Sequence, residues 1–359
     1  MPRSLLPLAL WICVNALVAN TAMADLSDDL ARCHQIAEPQ QRLNCYDQIS
    51  GRASADDSPA GHFDHDHSQV ADQVEVILPE ADLNEPAFAV SAEAGGSFLN
   101  KAWAQGADDD VNLILPHRFN YFLLGRYSSA VNQRPYSPLA EAFDEDNALD
   151  STEAKYQISF KARLWANKQQ RLGLWFAYTQ QSQWQVYNGA LSRPFRETNY
   201  QPELIATYWP GLSVAGFDWN LLAAGITHQS NGRSEPLSRS WDRVFIKVGV
   251  ERDNFGLLAR VWQRIPESIS SDDNPDITDY YGHGQLTAYT RLGGHGLSLM
   301  VRGNPRTGKG AAELSWVSPP VLGPLRGYVQ VFSGYGESLI DYNWNQNTVG
   351  AGLSLNDLF

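Results

Sequence analysis

The chain has 359 residues with 40 acidic against 27 basic side chains, a net charge of −13. That balance argues against nucleic acid as a partner, because a polyanion calls for clustered Lys and Arg; it suits divalent cations as well as plain solubility. No stretch after residue 24 reaches the ~18 consecutive apolar residues of a membrane-spanning helix, so this chain can cross a membrane only with strands.

The first 24 residues carry a charged start at Arg3, an apolar run over 5–18 and Ala22-Met23-Ala24 before Asp25. This is the layout of a cleaved secretory signal, and the apolar run is short for a retained anchor. Cys13 leaves with such a signal. Cys33 and Cys45 remain in an exported segment, where a disulfide is the default and a free thiol pair the alternative. Residues 25–50 read as a helical hairpin, with Leu30, Cys33, Ile36, Leu43, Cys45, Tyr46 and Ile49 at near-helical spacing and Pro39 in the turn. The following stretch to residue 86 is rich in Asp, Ala, Ser, His and Pro and reads as a flexible linker. Its His62, Asp64, His65, Asp66 and His67 are donors that zinc or copper accepts, although polar tracts of this kind usually have no such role. The expected organisation is a signal peptide at 1–24, an N-terminal extension at 25–86 and a larger domain at 87–359.

From about residue 117 the pattern becomes segments of roughly ten residues with two-fold alternation, separated by polar, Gly, Pro or Asn turns. After a first segment at 118–127, Tyr156, Ile158, Phe160, Ala162 and Leu164 oppose Lys155, Gln157, Ser159, Lys161 and Arg163. Next, Leu172, Leu174, Phe176 and Tyr178 share a face that Gln180 continues, an amide where hydrocarbon is expected. A copy of itself across a two-fold axis would satisfy Gln180; a strand already at the interface would remove the need. Further segments fall at 199–209, 222–230, 242–251, 257–265, 280–291, 295–303, 310–317, 325–335 and 348–355. The even total predicts an all-β, twelve-stranded antiparallel transmembrane β-barrel behind a short helical and flexible periplasmic extension. The terminal Phe359 on a last amphipathic strand fits an outer-membrane assembly signal, and the tryptophans are available for interfacial girdles.

The segment His228-Gln229-Ser230-Asn231-Gly232-Arg233-Ser234-Glu235-Pro236-Leu237-Ser238-Arg239-Ser240-Trp241-Asp242-Arg243 joins two of these strands. Leu222, Ala224 and Ile226 share a face with His228 and Ser230, and Val244, Ile246, Val248 and Val250 share one with Asp242. A serine becomes a nucleophile when a base takes its proton and a third group holds that base. Residues two apart on a strand project from one face about 7 Å apart, and an ordinary hairpin brings Asp242 opposite His228. Singly, each residue reads as a strand-end or loop polar group; jointly, on an apolar face, they are costly without a function. Gly232 allows close backbone approach and offers an N–H to an oxyanion, while Ser234, Glu235, Ser238 and the carbonyl of Arg233 are hard oxygen donors of the kind calcium accepts.

This segment resembles the active-site region of the bacterial outer-membrane phospholipase A family. The similarity extends to Ser192-Arg193-Pro194-Phe195-Arg196-Glu197-Thr198-Asn199-Tyr200, Asp272-Asp273-Asn274-Pro275-Asp276-Ile277, Ser333-Gly334-Tyr335-Gly336-Glu337-Ser338-Leu339-Ile340-Asp341-Tyr342-Asn343 and Leu355-Asn356-Asp357-Leu358-Phe359. The resemblance implies a twelve-stranded barrel that hydrolyses acyl esters of membrane phospholipids with calcium, as a homodimer. It implies Ser230 as nucleophile, His228 as general base and Asp242 where the best-known members place Asn, a charge that favours the imidazolium. It implies calcium ligation by the Ser238 side chain and the Arg233 carbonyl, with Ser192 from the other subunit. Gly232 falls at the oxyanion donor, Gln180 in the dimer contact, and Glu235 and Asp273 at a second, weaker cation site. The expectation is a calcium-dependent serine phospholipase acting on phospholipids and lysophospholipids, with a passive pore or structural barrel as the alternative. An adhesin would want longer loops.

Overall fold

The computed structural model describes residues 33, 36, 38, 41, 45, 97–105, 113–136, 148–268 and 272–357; the signal segment, the histidine-rich linker and Phe359 lie outside the described residues. The chain divides into two compact units, Met1–Leu83 and Asn84–Phe359. In the first, Cys33 and Cys45 form a disulfide with Cα atoms 5.6 Å apart.

The alternating segments of the second unit form one antiparallel sheet. Its early strands are β1 (Ile114–Pro116), β2 (Tyr121–Ser128), β3 (Thr152–Ala166), β4 (Leu172–Trp184) and β5 (Phe195–Tyr208). After β6 (Leu212–Val214) come β7 (Phe217–Ser230), β8 (Ser240–Arg252), β9 (Phe255–Arg264) and β10 (Gly284–Leu292). The last are β11 (His295–Asn304), β12 (Lys309–Leu322), β13 (Leu325–Tyr335) and β14 (Asn345–Ser354). Neighbours follow chain order from β7 to β14, then β14 pairs β2, β2 pairs β3, β3 pairs β4, and β5 pairs β7. Twelve strands thereby close into a barrel. β1 prolongs the line of β2 along β3, and β6 folds back on β7 as a short ribbon.

Period-two alternation decides what each face meets. On β7, Leu222 and Ile226 are exposed while Leu221, Ala223 and Thr227 are buried; on β8, Val244 and Ile246 are exposed while Trp241 and Phe245 are buried. Phe176, Leu204, Val261, Leu299, Leu314, Val331 and Val349 carry the exposed apolar belt round the wall. Water would not tolerate so continuous a belt, and a bilayer covers it. Two-residue turns at 253–254, 293–294 and 323–324 lie at the same end as the start of β2 and the finish of β14. Longer connections at 231–239, 265–283 and 336–344 lie at the other, which is the extracellular end of such barrels.

The lumen is filled rather than open. Toward the loop end Arg126 pairs with Glu153 at 2.7 Å and with Glu337, Lys155 reaches Glu337 at 3.0 Å, and Arg196 joins Glu153 (3.1 Å) to Asp341 (2.7 Å). Deeper, Glu203 accepts from Arg118 at 2.7 Å and Arg260 at 2.8 Å. Toward the turn end a short helix, α1 (Phe98–Ala102), lies inside the wall. The Leu99 N–H and the Tyr289 hydroxyl donate to Glu251, and Trp103 packs edge-on against Trp175.

Three departures from the sequence expectation have physical causes. The segment expected at 280–291 begins instead at Gly284, because α2 (Ile277–Tyr281) precedes it and turns Ile277 and Tyr281 into the core. Gly282 follows with φ +67°, and a Cβ there would lie 1.8 Å from the Gly303 carbonyl, so only glycine passes. β12 runs on past Pro319 and Pro320 to Leu322, its ladder shifting register where proline has no N–H to give. β1 and β6 are too short to show a period. If the exposed belt faces lipid, Leu204→Arg should destabilise the barrel by ~2–4 kcal/mol in bilayers, read from its urea unfolding midpoint.

Candidate active site

The β7–β8 hairpin carries the site, and its inward side chains hold it. Cα partners run Thr227 with Arg243, His228 with Asp242, Gln229 with Trp241 and Ser230 with Ser240. Inside the barrel, Gln229 Oε1 accepts from Trp241 Nε1 at 3.1 Å and from Arg243 Nη2 at 2.8 Å. The Arg243 guanidinium lies 3.8 Å from the centre of the fully buried Trp241 ring. A one-residue slip would drive these groups into hydrocarbon, so the register is firmly specified.

That register turns His228 and Asp242 outward. His228 Nδ1 lies 2.8 Å from Asp242 Oδ1, with the side chains 47% and 45% exposed on the apolar wall beside Ile226 and Val244. With its proton on Nδ1 the imidazole donates to the carboxylate, which leaves Nε2 bare as a proton acceptor. Ser230 shares the parity of His228. Among the described residues its hydroxyl makes no hydrogen bond, so nothing in this state competes for it.

Beyond Ser230 the connection is tied down by Asn231. Its side chain donates to the Leu237 carbonyl at 3.0 Å and accepts from the backbone N–H groups of Arg239 (3.0 Å) and Arg233 (3.3 Å). Gly232 has φ +66°, and a Cβ would fall 2.8 Å from the Tyr200 ring. Both the backbone conformation and the close approach therefore require glycine. Arg233 Nη2 donates to the Arg196 carbonyl at 2.9 Å. The carbonyl of Arg233 itself accepts no hydrogen bond among the described residues.

The 272–274 segment latches onto this hairpin from outside it in sequence. Asp273 Oδ2 accepts from Ser238 Oγ at 2.5 Å and from Ser240 Oγ at 3.3 Å, and Asn274 Oδ1 accepts from the Ser240 N–H at 3.0 Å. Arg264 anchors the segment through Asp272 at 2.5 Å. Ser238 and Asp273 thus come together. Glu235 is exposed, and no group of three or more His, Cys, Asp or Glu among the described residues could hold a metal. The hairpin and the 272–274 segment together offer oxygens of mixed kind instead: the Arg233 carbonyl, the Ser238 hydroxyl and the Asp273 carboxylate.

Ser192 lies exposed between β4 and β5 at φ +57° and makes no hydrogen bond to the 231–239 connection. Gln180 faces outward, but its amide already accepts from the Tyr178 hydroxyl at 3.2 Å and donates to Ser182 Oγ at 3.4 Å. Sequence reasoning missed Ser240, Asn274 and the inward Gln229–Trp241–Arg243 cluster. The alternation of polar Gln229 with His228 and Ser230 hinted at the last; nothing local hints at Asn274.

Three comparisons bear on this geometry. Residues 99–355 match the family model of phospholipase A1. The Escherichia coli K12 phospholipase A1 is 40% identical over 255 residues, covering 70% of this chain and 84% of that one. A Neisseria meningitidis protein is 35% identical over 357 residues and 91% of each chain, a span too long to exclude the N-terminal extension. Among solved structures, the outer membrane phospholipase A of E. coli superposes with a TM-score of 0.65 at 38% identity, covering 72% of this chain and 98% of that one. A Salmonella typhi outer membrane phospholipase dimer with bound calcium superposes at 0.64 and 38%, covering 72% and 97%. Gly232→Ala should destabilise the protein by at least about 1 kcal/mol in denaturant melts, whereas Gly189→Ala, with open space around it, should stay within about 0.5 kcal/mol.

Proposed function

The chain belongs to the phospholipase A1 family, and from that premise we propose that it is an outer-membrane serine esterase cleaving acyl esters of phospholipids and lysophospholipids through Ser230, His228 and Asp242. The observation that carries this reading is the His228–Asp242 pair at 2.8 Å, held facing lipid two residues from a serine of the same parity. A substrate in the outer leaflet then reaches the nucleophile without leaving the membrane.

In the proposed reaction, Ser230 Oγ attacks the ester carbonyl carbon while His228 Nε2 takes its proton. The serine hydroxyl would turn about χ1 toward the imidazole on the same face, a contact that commonly tightens only with substrate bound. The tetrahedral oxyanion faces the Gly232 N–H. On collapse His228 returns the proton to the departing alcohol oxygen, leaving an acyl-serine. Water, activated by the same imidazole, then frees the fatty acid and restores Ser230. Asp242 keeps the proton on Nδ1 and stabilises the imidazolium formed in both halves.

The donor set fits a hard cation of calcium type: the unoccupied lone pairs of the Arg233 carbonyl and the Ser238 hydroxyl, whose proton Asp273 already accepts. These are fewer oxygens than calcium takes, so water and Ser192 of the partner subunit would complete the shell. When bound, the ion supplies positive charge to the oxyanion region. Glu235 and Asp273 would serve a second, weaker site, and Gln180 would lie in the contact of a homodimer. A passive pore is disfavoured by the filled lumen.

Ser230→Ala should lower fatty-acid release from phospholipid micelles by roughly four orders of magnitude, and hydrolysis retained at the parent rate would eliminate this assignment. Asp242→Asn should lose far less than the ~10⁴-fold that a wrongly held tautomer costs, because an amide oxygen accepts the same Nδ1–H. Chelating calcium should abolish turnover reversibly, with re-addition restoring it.

A further inference from the structure

Apart from the outward-facing site, the lumen holds a cavity of about 260 Å³ whose wall is unbalanced in charge. Arg118, Lys161, Arg243, Lys247, Arg260 and Arg302 all line it. Arg118 and Arg260 share the single carboxylate of Glu203. Glu337, which also lines it, is committed to Arg126 and Lys155. Glu313 remains as the one lining carboxylate outside these pairs, against four cations, Lys161, Arg243, Lys247 and Arg302, that make no ion pair among the described residues.

Their partners are neutral. Lys161 donates to the Pro116 carbonyl and lies 4.3 Å from the centre of the Trp103 ring; Arg302 donates to the Tyr335 and Gly336 carbonyls. Arg243 is 6% exposed, donates to Gln229 and keeps its Nε without an acceptor; Arg260 Nε and Arg302 Nη1, on residues that line the same space, are also without one. Lys247 stands directly opposite Arg260 across β8 and β9, a like-charge pairing that destabilises a sheet unless something lies between. Guanidinium cannot shed its proton, and an uncompensated buried cation is costly.

We propose that this cavity binds a small free oxyanion of phosphate type, held by Arg243, Lys247 and Lys161, as an internal counter-ion of the barrel. A polyatomic anion suits donors that converge from separate strands across a space of several waters' width. A lipid headgroup does not suit it, because its acyl chains would have to follow it into a space lined by charged and polar side chains.

The test uses the full chain refolded into neutral-detergent micelles with or without inorganic phosphate, at ionic strength held by gluconate so that entry to the lumen is not limiting. Calorimetric titration should show one saturable phosphate site per chain, and the thermal midpoint should rise with phosphate as for any ligand of the native state. Arg243→Met and Lys247→Met should each weaken binding about tenfold or more, while Lys168→Met on an exposed turn should leave it unchanged. Without phosphate, Lys247→Met should melt at or above the parent, since a buried unpaired charge has gone. Should Arg243→Met not fold, Lys247→Met and Lys161→Met decide the matter. Absence of saturable binding, equal binding in the lumenal variants, equal loss in Lys168→Met, preference for chloride, or displacement by a short-chain phosphatidate would each overturn the proposal.

Discussion

Everything in this molecule follows from the requirement that backbone N–H and C=O groups in hydrocarbon find partners within the protein. A sheet meets it only by closing, which here the β3–β4 pairing accomplishes. Closure makes one face of every strand meet lipid and the other meet the lumen, so strand parity becomes the variable that assigns each side chain its solvent. His228 and Asp242 look into the bilayer because Gln229, Trp241 and Arg243 look away from it.

The two sides of the hairpin are therefore energetically linked. Outward, an imidazole and a carboxylate satisfy each other at 2.8 Å, which lowers the cost of placing them on an apolar wall. Inward, an amide, an indole and a guanidinium interlock. The outward pair sits near the loop end of the strands, where the wall meets the polar boundary of the membrane, and this position makes the charge tolerable.

The lumen obeys a second rule, that a buried charge needs a partner. Glu153, Glu337 and Asp341 meet Arg126, Lys155 and Arg196 almost one for one at the loop end, giving a rigid base for the connections that surround the hairpin. Below, cations outnumber carboxylates around a cavity. The contrast between the two layers, rather than any single residue, sets the middle of the barrel apart.

Alternation along 155–164, 172–179 and 222–230 was enough to read strands, their faces and the outward parity of His228, Ser230 and Asp242, because a period of two is a local property that survives without knowledge of neighbours. The family resemblance rested likewise on contiguous runs. What sequence could not decide was anything set by segments far apart in the chain: that Tyr281 ends a helix packed into the core instead of starting a strand, that Asp273 and Asn274 latch onto Ser238 and Ser240, and which lumenal cations find a carboxylate. Side-chain direction is written into each strand by its own pleat, whereas partners are chosen only when the sheet closes and fixes register between distant segments.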